Sequence, residues 1–123
     1  MPSKSILIVD DAASIRATVS IALKGAGYEV IEACDGNDAL AKLNGVRVNL
    51  VISDVNMPGM DGITLLKRLK EGAATRFLPV IMLTTEGSDD KKMQGKEAGA
   101  KAWIVKPFDP AKLLDAVSKL IQP

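Results

Sequence analysis

The chain has 123 residues, the size of one domain, and 47% of them are apolar, enough for a core without disulfides or a structural metal. Its 16 Lys and Arg stand against 15 Asp and Glu, a balance that argues against a nucleic-acid binder, whose affinity comes from many phosphate-neutralising cations. The absence of histidine excludes His-based catalysis, Cys/His zinc sites and a phosphohistidine on this chain. The single cysteine, Cys34, excludes an internal disulfide and suits a reducing compartment; closing an apolar stretch, it reads as a core residue. The apolar run Ile6 to Val9 is too short for an export signal and ends in two aspartates, and no window approaches a membrane span. A cytoplasmic, monomeric protein without nucleic-acid or membrane partners is expected.

Short apolar runs alternate with amphipathic stretches along the whole chain. Strands are predicted at Lys4–Val9, Val30–Ala33, Leu50–Ser53, Pro79–Leu83 and Ala102–Val105, with helices at about 13–26, 37–44, 62–71, 89–97 and 110–121. Continuous apolar runs, rather than strict alternation, suit strands covered on both faces of a parallel sheet. The punctuation agrees. Gly27 closes the first helix and Asp35-Gly36 opens the second turn; Asp61 stands as an N-cap; Ser88 precedes Asp89 and Asp90 where a helix dipole favours negative charge; Asp109-Pro110 reads as N-cap followed by an N1 proline. Five βα units without a linker or repeat imply one doubly wound α/β domain over 1–123, with a five-stranded parallel sheet. Spacing alone leaves the strand order open.

Polar residues end these strands in a telling set. Asp10-Asp11 follows the first, Asp54 the third, Thr84 the fourth and Lys106 the fifth. In an open α/β sheet the carboxyl ends of the strands share one edge, where ligands bind. Any one of these residues alone would be an ordinary loop residue; together they place three carboxylates, a hydroxyl and an ammonium on one rim. Two carboxylates about 5 Å apart repel by roughly 3 kcal/mol at an effective dielectric near 20, so the cluster calls for a cation. Lys106 supplies one positive charge, insufficient by itself, and removal of Asp10 is expected to stabilise the metal-free protein. All-oxygen ligands on open loops suit Mg²⁺, which keeps waters and accepts phosphate oxygens. Asp54, between the acid pair and the Thr/Lys pair, is then the nucleophile that would form an acyl phosphate; Asp11 would hold the metal, Asp10 would ligate directly or through water, and the Asn56 main-chain carbonyl could add a ligand. Thr84 Oγ and the Lys106 ammonium would bind the remaining phosphoryl oxygens.

The stretches LIVDDAASIR, VISDVNMPGMDG, VIMLTTE and GAKAWIVKPF resemble those of bacterial response-regulator receiver domains; the resemblance covers the whole chain, and no output domain is expected beyond it. Chain length, Asn56 two residues past Asp54 and Glu86 two past Thr84 resemble the single-domain CheY-like chemotaxis regulators in particular. The resemblance implies strand order 2-1-3-4-5 and a flavodoxin-like topology. It implies a histidine kinase, CheA-like in chemotaxis, as phosphoryl donor to Asp54, with Asn56 and Glu86 lining the path of the water that later hydrolyses the acyl phosphate. It also implies that Thr84 moves toward the phosphoryl group, that the aromatic at Trp103 rotates inward behind it, and that the Lys106-Pro107 bond is cis. Output would pass through the face of the fourth helix, fifth strand and fifth helix to a target such as the flagellar motor switch. Trp103 in place of the usual Tyr or Phe, and Thr85 in place of a small residue, put motor binding in question. Lys91, Lys92, Lys96 and Lys112 could frame a basic partner face around Trp103, although lysines on helices are usually just solvated; Met57, Met60 and Met93 read as packing or loop residues.

Other functions fit less well. A haloacid-dehalogenase-type phosphatase needs a second acid two residues after its nucleophile, where this chain has Asn56. A flavodoxin-like nucleotide carrier needs amides and hydroxyls in its first loop, where Asp10-Asp11 would repel phosphate. A phosphate sink in another two-component pathway and an adaptor indifferent to phosphate remain as alternatives that the residues do not separate. No enzymatic turnover is expected beyond slow self-dephosphorylation.

Overall fold

The computed structural model describes residues 4–121. Strands β1 (Ser5–Val9), β2 (Glu29–Ala33), β3 (Leu50–Ser53), β4 (Val80–Thr84) and β5 (Ala102–Val105) alternate with helices α1 (Ala13–Gly25), α2 (Gly36–Leu43), α3 (Gly62–Glu71), α4 (Asp89–Ala98) and α5 (Pro110–Leu120). All strand pairs are parallel and the order is β2-β1-β3-β4-β5, as the resemblance implied.

The alternation of side chains along each strand divides the core in two. Ile6, Ile8, Leu50, Ile52, Ile81 and Leu83 face α1 and α5, meeting Val19, Leu23, Leu113 and Val117. Their neighbours Leu7, Val9, Val51 and Met82 face the other way, onto Ala39, Leu65, Leu66 and Leu69 of α2 and α3. Strands covered on both faces need an apolar residue at every position, which is why the period-two signal is missing from β1, β3 and β4. The edge strands differ: β2 and β5 are only partly buried apart from Ala33, and Val105 is 40% exposed.

Four helices carry side-chain caps, and three of these, Asp61, Ser88 and Asp109, were read from the sequence. Asp35, Asp61, Ser88 and Asp109 accept from the amides of Asp38 (2.7 Å), Thr64 (2.7 Å), Lys91 (3.2 Å) and Ala111 (3.0 Å). Helix α1 is the exception, since its N-cap is Ala12; the Ala12 amide instead donates 2.9 Å to Oδ1 of Asp10, which ties the start of α1 to the end of β1. Gly27 lies just beyond α1 and donates 3.0 Å to the Lys24 carbonyl. Lys4 and Pro79 fall just outside the strands predicted to include them; the Pro79 carbonyl still accepts from Val51 at 3.0 Å.

Cys34 is not a core residue. The period of β2 puts Ala33 inward, and the next residue turns outward into the loop before α2, leaving Cys34 exposed. Partial loss of hydration, followed by the carboxylates of Asp35 and Asp38, raises its thiol pKa above the ordinary value. A raised pKa keeps the thiol protonated and weakly nucleophilic at neutral pH. Alkylation by iodoacetamide is therefore expected to be slower at pH 7 than for an unstructured cysteine peptide, and to accelerate only above the usual thiol range; an equal or faster rate at pH 7 would contradict this.

Candidate functional site

Backbone bonds carry each strand's pairing just past its end and so fix the rim. The Asp10 amide donates to the Ala33 carbonyl (3.1 Å), Asp54 to Val9 (2.9 Å) and Lys106 to Thr84 (2.8 Å). One carboxylate oxygen from each of Asp10, Asp11 and Asp54 lies within 4.8 Å of the others. Asp10 and Asp54 are buried, at 3% and 8% exposure, whereas Asp11 is open to solvent.

Lys106 reaches into this group from the far end of the chain. Its Nζ lies 2.7 Å from Oδ2 of Asp10 and 3.3 Å from Oδ2 of Asp54, with all three side chains nearly buried. The other oxygens are also engaged: Asp10 Oδ1 takes the Ala12 amide, and Asp54 Oδ1 takes the Val55 amide at 2.7 Å. Three carboxylates and one ammonium leave a formal charge of −2, and Asp11 has no hydrogen-bond or ion-pair partner among the described residues. Such an all-oxygen, partly open and under-neutralised set fits a hard divalent cation such as Mg²⁺. The Lys106-Pro107 bond is cis, as expected.

Thr84, fully buried, joins the rim through the Lys106–Thr84 backbone bond and makes no side-chain bond to the carboxylates. Its Oγ1 accepts from the Glu86 amide at 3.1 Å, and the Glu86 carbonyl accepts from Nε1 of Trp103 at 2.9 Å. Trp103 and Thr84 are thus linked through the backbone of a single residue, Glu86, in the β4–α4 loop. Asn56 is exposed in the β3–α3 loop and no hydrogen bond joins it to the cluster among the described residues; Thr85 is also exposed. Beside the indole, Lys92, Lys96, Ala100, Lys101, Ala102 and Trp103 line a groove of about 280 Å³. Lys91 and Lys112, also read as framing this face, do not line the groove, and Lys101 was not anticipated. Met57 is buried and Met60 packs on the core, while Met93 is 57% exposed.

Two further residues position the site. Arg16 of α1 donates to the Asp10 carbonyl at 2.5 Å and pairs with Glu32 of β2 at 3.2 Å, bracing the β1 end. Gly62, at the start of α3, donates to the Val55 carbonyl at 2.8 Å; a β-carbon there would overlap the Asp54 carbonyl oxygen and lie 2.8 Å from Cε of Met82. From the sequence Gly62 reads only as the first residue of a helix capped by Asp61, a signal that conceals a requirement for close backbone approach.

A parallel sheet in this order, with acids from β1 and β3 and a lysine from β5 converging at its carboxyl edge, defines a CheY-like α/β protein with an acidic rim. The chain belongs to the response regulator receiver domain family, which it matches over residues 6–118. It is therefore the receiver domain of a two-component response regulator. Chemotaxis protein CheY4 of Vibrio cholerae is 46% identical, with a TM-score of 0.92 over 97% of this chain and 99% of that one. A putative response regulator from Chloroflexus aurantiacus is 38% identical, with a TM-score of 0.93 over 98% of each chain. The phosphate regulon transcriptional regulatory protein PhoB of Pseudomonas aeruginosa is 42% identical over 99% of this chain but only 53% of its own length, so the chain spans about half of that relative.

Two outcomes follow from the geometry. Asp10 has an ammonium and an amide as partners, so its removal forfeits bonds as well as relieving repulsion; Asp11 has neither, and inherits the effect expected from the sequence for Asp10. Asp11→Asn is expected to raise the melting temperature in chelator by roughly 3–5 °C, equivalent to about 1 kcal/mol after solvent screening, while weakening Mg²⁺ binding. An unchanged or lower melting temperature would count against the repulsion. Gly62→Ala is expected to destabilise by about 2–3 kcal/mol in urea titrations, because backbone cannot yield as a side chain would; a cost within a few tenths would show the contact to be soft.

Proposed function

We propose that this chain is a phosphorylation switch that accepts a phosphoryl group on Asp54 from a partner's phosphohistidine. The observation that carries the reading is the Lys106 ammonium held between Asp10 and Asp54, with Asp11 within the same 4.8 Å cluster. In the transfer, an Asp54 carboxylate oxygen forms a bond to phosphorus as the phosphorus–nitrogen bond to histidine breaks, and the imidazole leaves with the bonding pair. Asp10, Asp11, Asp54 and the Asn56 carbonyl would hold Mg²⁺, which supplies charge neutralisation between carboxylates and phosphoryl oxygens when bound.

The remaining work belongs to the chain's own side chains. Lys106 leaves its carboxylate partners for the incoming oxygens, and Thr84 Oγ1 gives up the Glu86 amide to bind another. Moving the Thr84 hydroxyl frees the amide of Glu86, whose carbonyl holds Trp103, so the indole and the α4–β5–α5 face respond. Asn56 and Glu86 tune water access during hydrolysis. Asn56 cannot donate a proton as a phosphatase acid would, so the chain acts as a slowly discharging acceptor rather than a turnover enzyme.

The similarity to CheY4 supports a chemotaxis-like pathway with a CheA-like kinase, a single receiver domain over 1–123 and a cytoplasmic setting. No described helix is long and apolar enough to cross a membrane. The similarity to PhoB favours a second reading, a receiver in another two-component pathway with a different output.

Mg²⁺ with beryllofluoride, a phosphoryl mimic, tests the switch. The fluorescence of Trp103, the only tryptophan, is expected to shift in a manner that requires Mg²⁺ and is lost in Asp54→Ala. Absence of binding by calorimetry would refute the phosphoryl reading; binding with silent fluorescence would remove only the part assigned to Trp103.

A further inference from the structure

Helix α4 has little to hold it to the sheet. Its sequence, DDKKMQGKEA, offers no apolar stripe, and Gly95 is its only buried residue. A glycine in a helix interior is itself unfavourable; replacing it with Ala in an open helix raises the folding constant about fivefold. A mid-helix glycine at the one buried position therefore needs a packing reason.

Trp103 supplies it. A β-carbon on Gly95 would lie 2.6 Å from Cζ3 and 3.0 Å from Cε3 of the indole, well inside van der Waals contact. The ring is rigid and held at two other places. Its Nε1 donates to the Glu86 carbonyl at 2.9 Å, and it packs against the core on the α2–α3 side of the sheet. Glu86 in turn donates to Thr84 Oγ1. The benzo edge on α4 and the pyrrole nitrogen on the β4–α4 loop thus belong to one inflexible plate, which also forms a wall of the groove lined by Lys92, Lys96 and Lys101.

We propose that Gly95 is a positioning residue for the switch: its missing β-carbon lets the Trp103 indole sit under α4, and the seated indole couples α4 and its lysines to the hydrogen-bonded Glu86 and Thr84. The inference rests on the reading of Thr84 as the phosphate-responsive residue only for its consequence in signalling; the seat itself concerns the metal-free protein. With a methyl group at 95, either α4 lifts or the indole turns outward, and in both cases the Nε1–Glu86 bond is lost.

The test is Gly95→Ala in the unsubstituted chain and in Trp103→Phe, whose ring lacks the fused benzo edge. Helix propensity alone raises the melting temperature in both backgrounds. The seat lowers it in the Trp103 chain, with red-shifted emission and at least a twofold rise in acrylamide quenching, and raises it in the Trp103→Phe chain. A rise in both backgrounds with unchanged emission would overturn the proposal, as would an equal fall in both. Should Gly95→Ala fail to fold, folding of the double variant supports the seat and its failure rejects it. In signalling, Gly95→Ala is expected to bind Mg²⁺–beryllofluoride by calorimetry while losing most of the fluorescence response; a full response would overturn the coupling. If the unsubstituted chain binds no beryllofluoride, the phosphoryl reading fails and the melting and quenching results still decide the seat.

Discussion

Lys106 brings a positive charge 96 residues along the chain to Asp10 and 52 residues to Asp54. Without it the ends of β1 and β3 would face each other as buried carboxylates, and unpairing a buried charge typically costs about 3–5 kcal/mol. The ammonium also spans the sheet, since β5 lies at the edge, two strands from β3. Its position depends on the β4–β5 pairing and on the Lys106–Thr84 backbone bond. The rim therefore depends on the edge strand as much as on the central ones. One ammonium cannot neutralise three carboxylates, so the fold retains an anionic, partly open pocket that a divalent cation complements.

The same economy of contacts sets where the molecule can respond. Strands β1, β3 and β4 are buried almost throughout, and α3 contributes five buried residues, whereas α4 contributes one glycine. Elements with little buried apolar area are the ones that open or shift at low cost. From Thr84 at the rim to Trp103 beside α4 the path is two hydrogen bonds through Glu86, between the best-anchored strand and the least-anchored helix. On the proposed function, a change at the rim is read out where the structure resists least.

Much of this was legible in the sequence because local signals agreed with the fold. Doubly covered strands demanded continuous apolar runs, and cap residues such as Asp61 and Ser88 marked helix starts within a residue. Strand ends exposed Asp10, Asp54, Thr84 and Lys106 as a set because polar residues interrupt apolar runs there. The strand order came from family likeness, since right-handed crossovers allow several orders. What stayed hidden depends on contacts between distant residues. Gly62 and Gly95 look like ordinary helix residues, yet each is fixed by an atom elsewhere, the Asp54 carbonyl and the Trp103 ring. Cys34 followed a run of apolar residues, but the strand ended one position earlier and turned it outward. The pairing of Lys106 with Asp10 required knowing which strands are neighbours, and Lys101 became part of the groove only once β5 was seen at the edge.

On the proposed function, Asp54 is the phosphoryl-accepting residue of this rim. Incubation of the chain with Mg²⁺ and a small acyl phosphate donor, followed by intact-mass and peptide mass spectrometry, tests it without any partner protein. The account predicts the added mass of one phosphoryl group, dependent on Mg²⁺ and located on Asp54. An unmodified chain under conditions that phosphorylate another receiver, or a label on Asp10 or Asp11 instead, would contradict it.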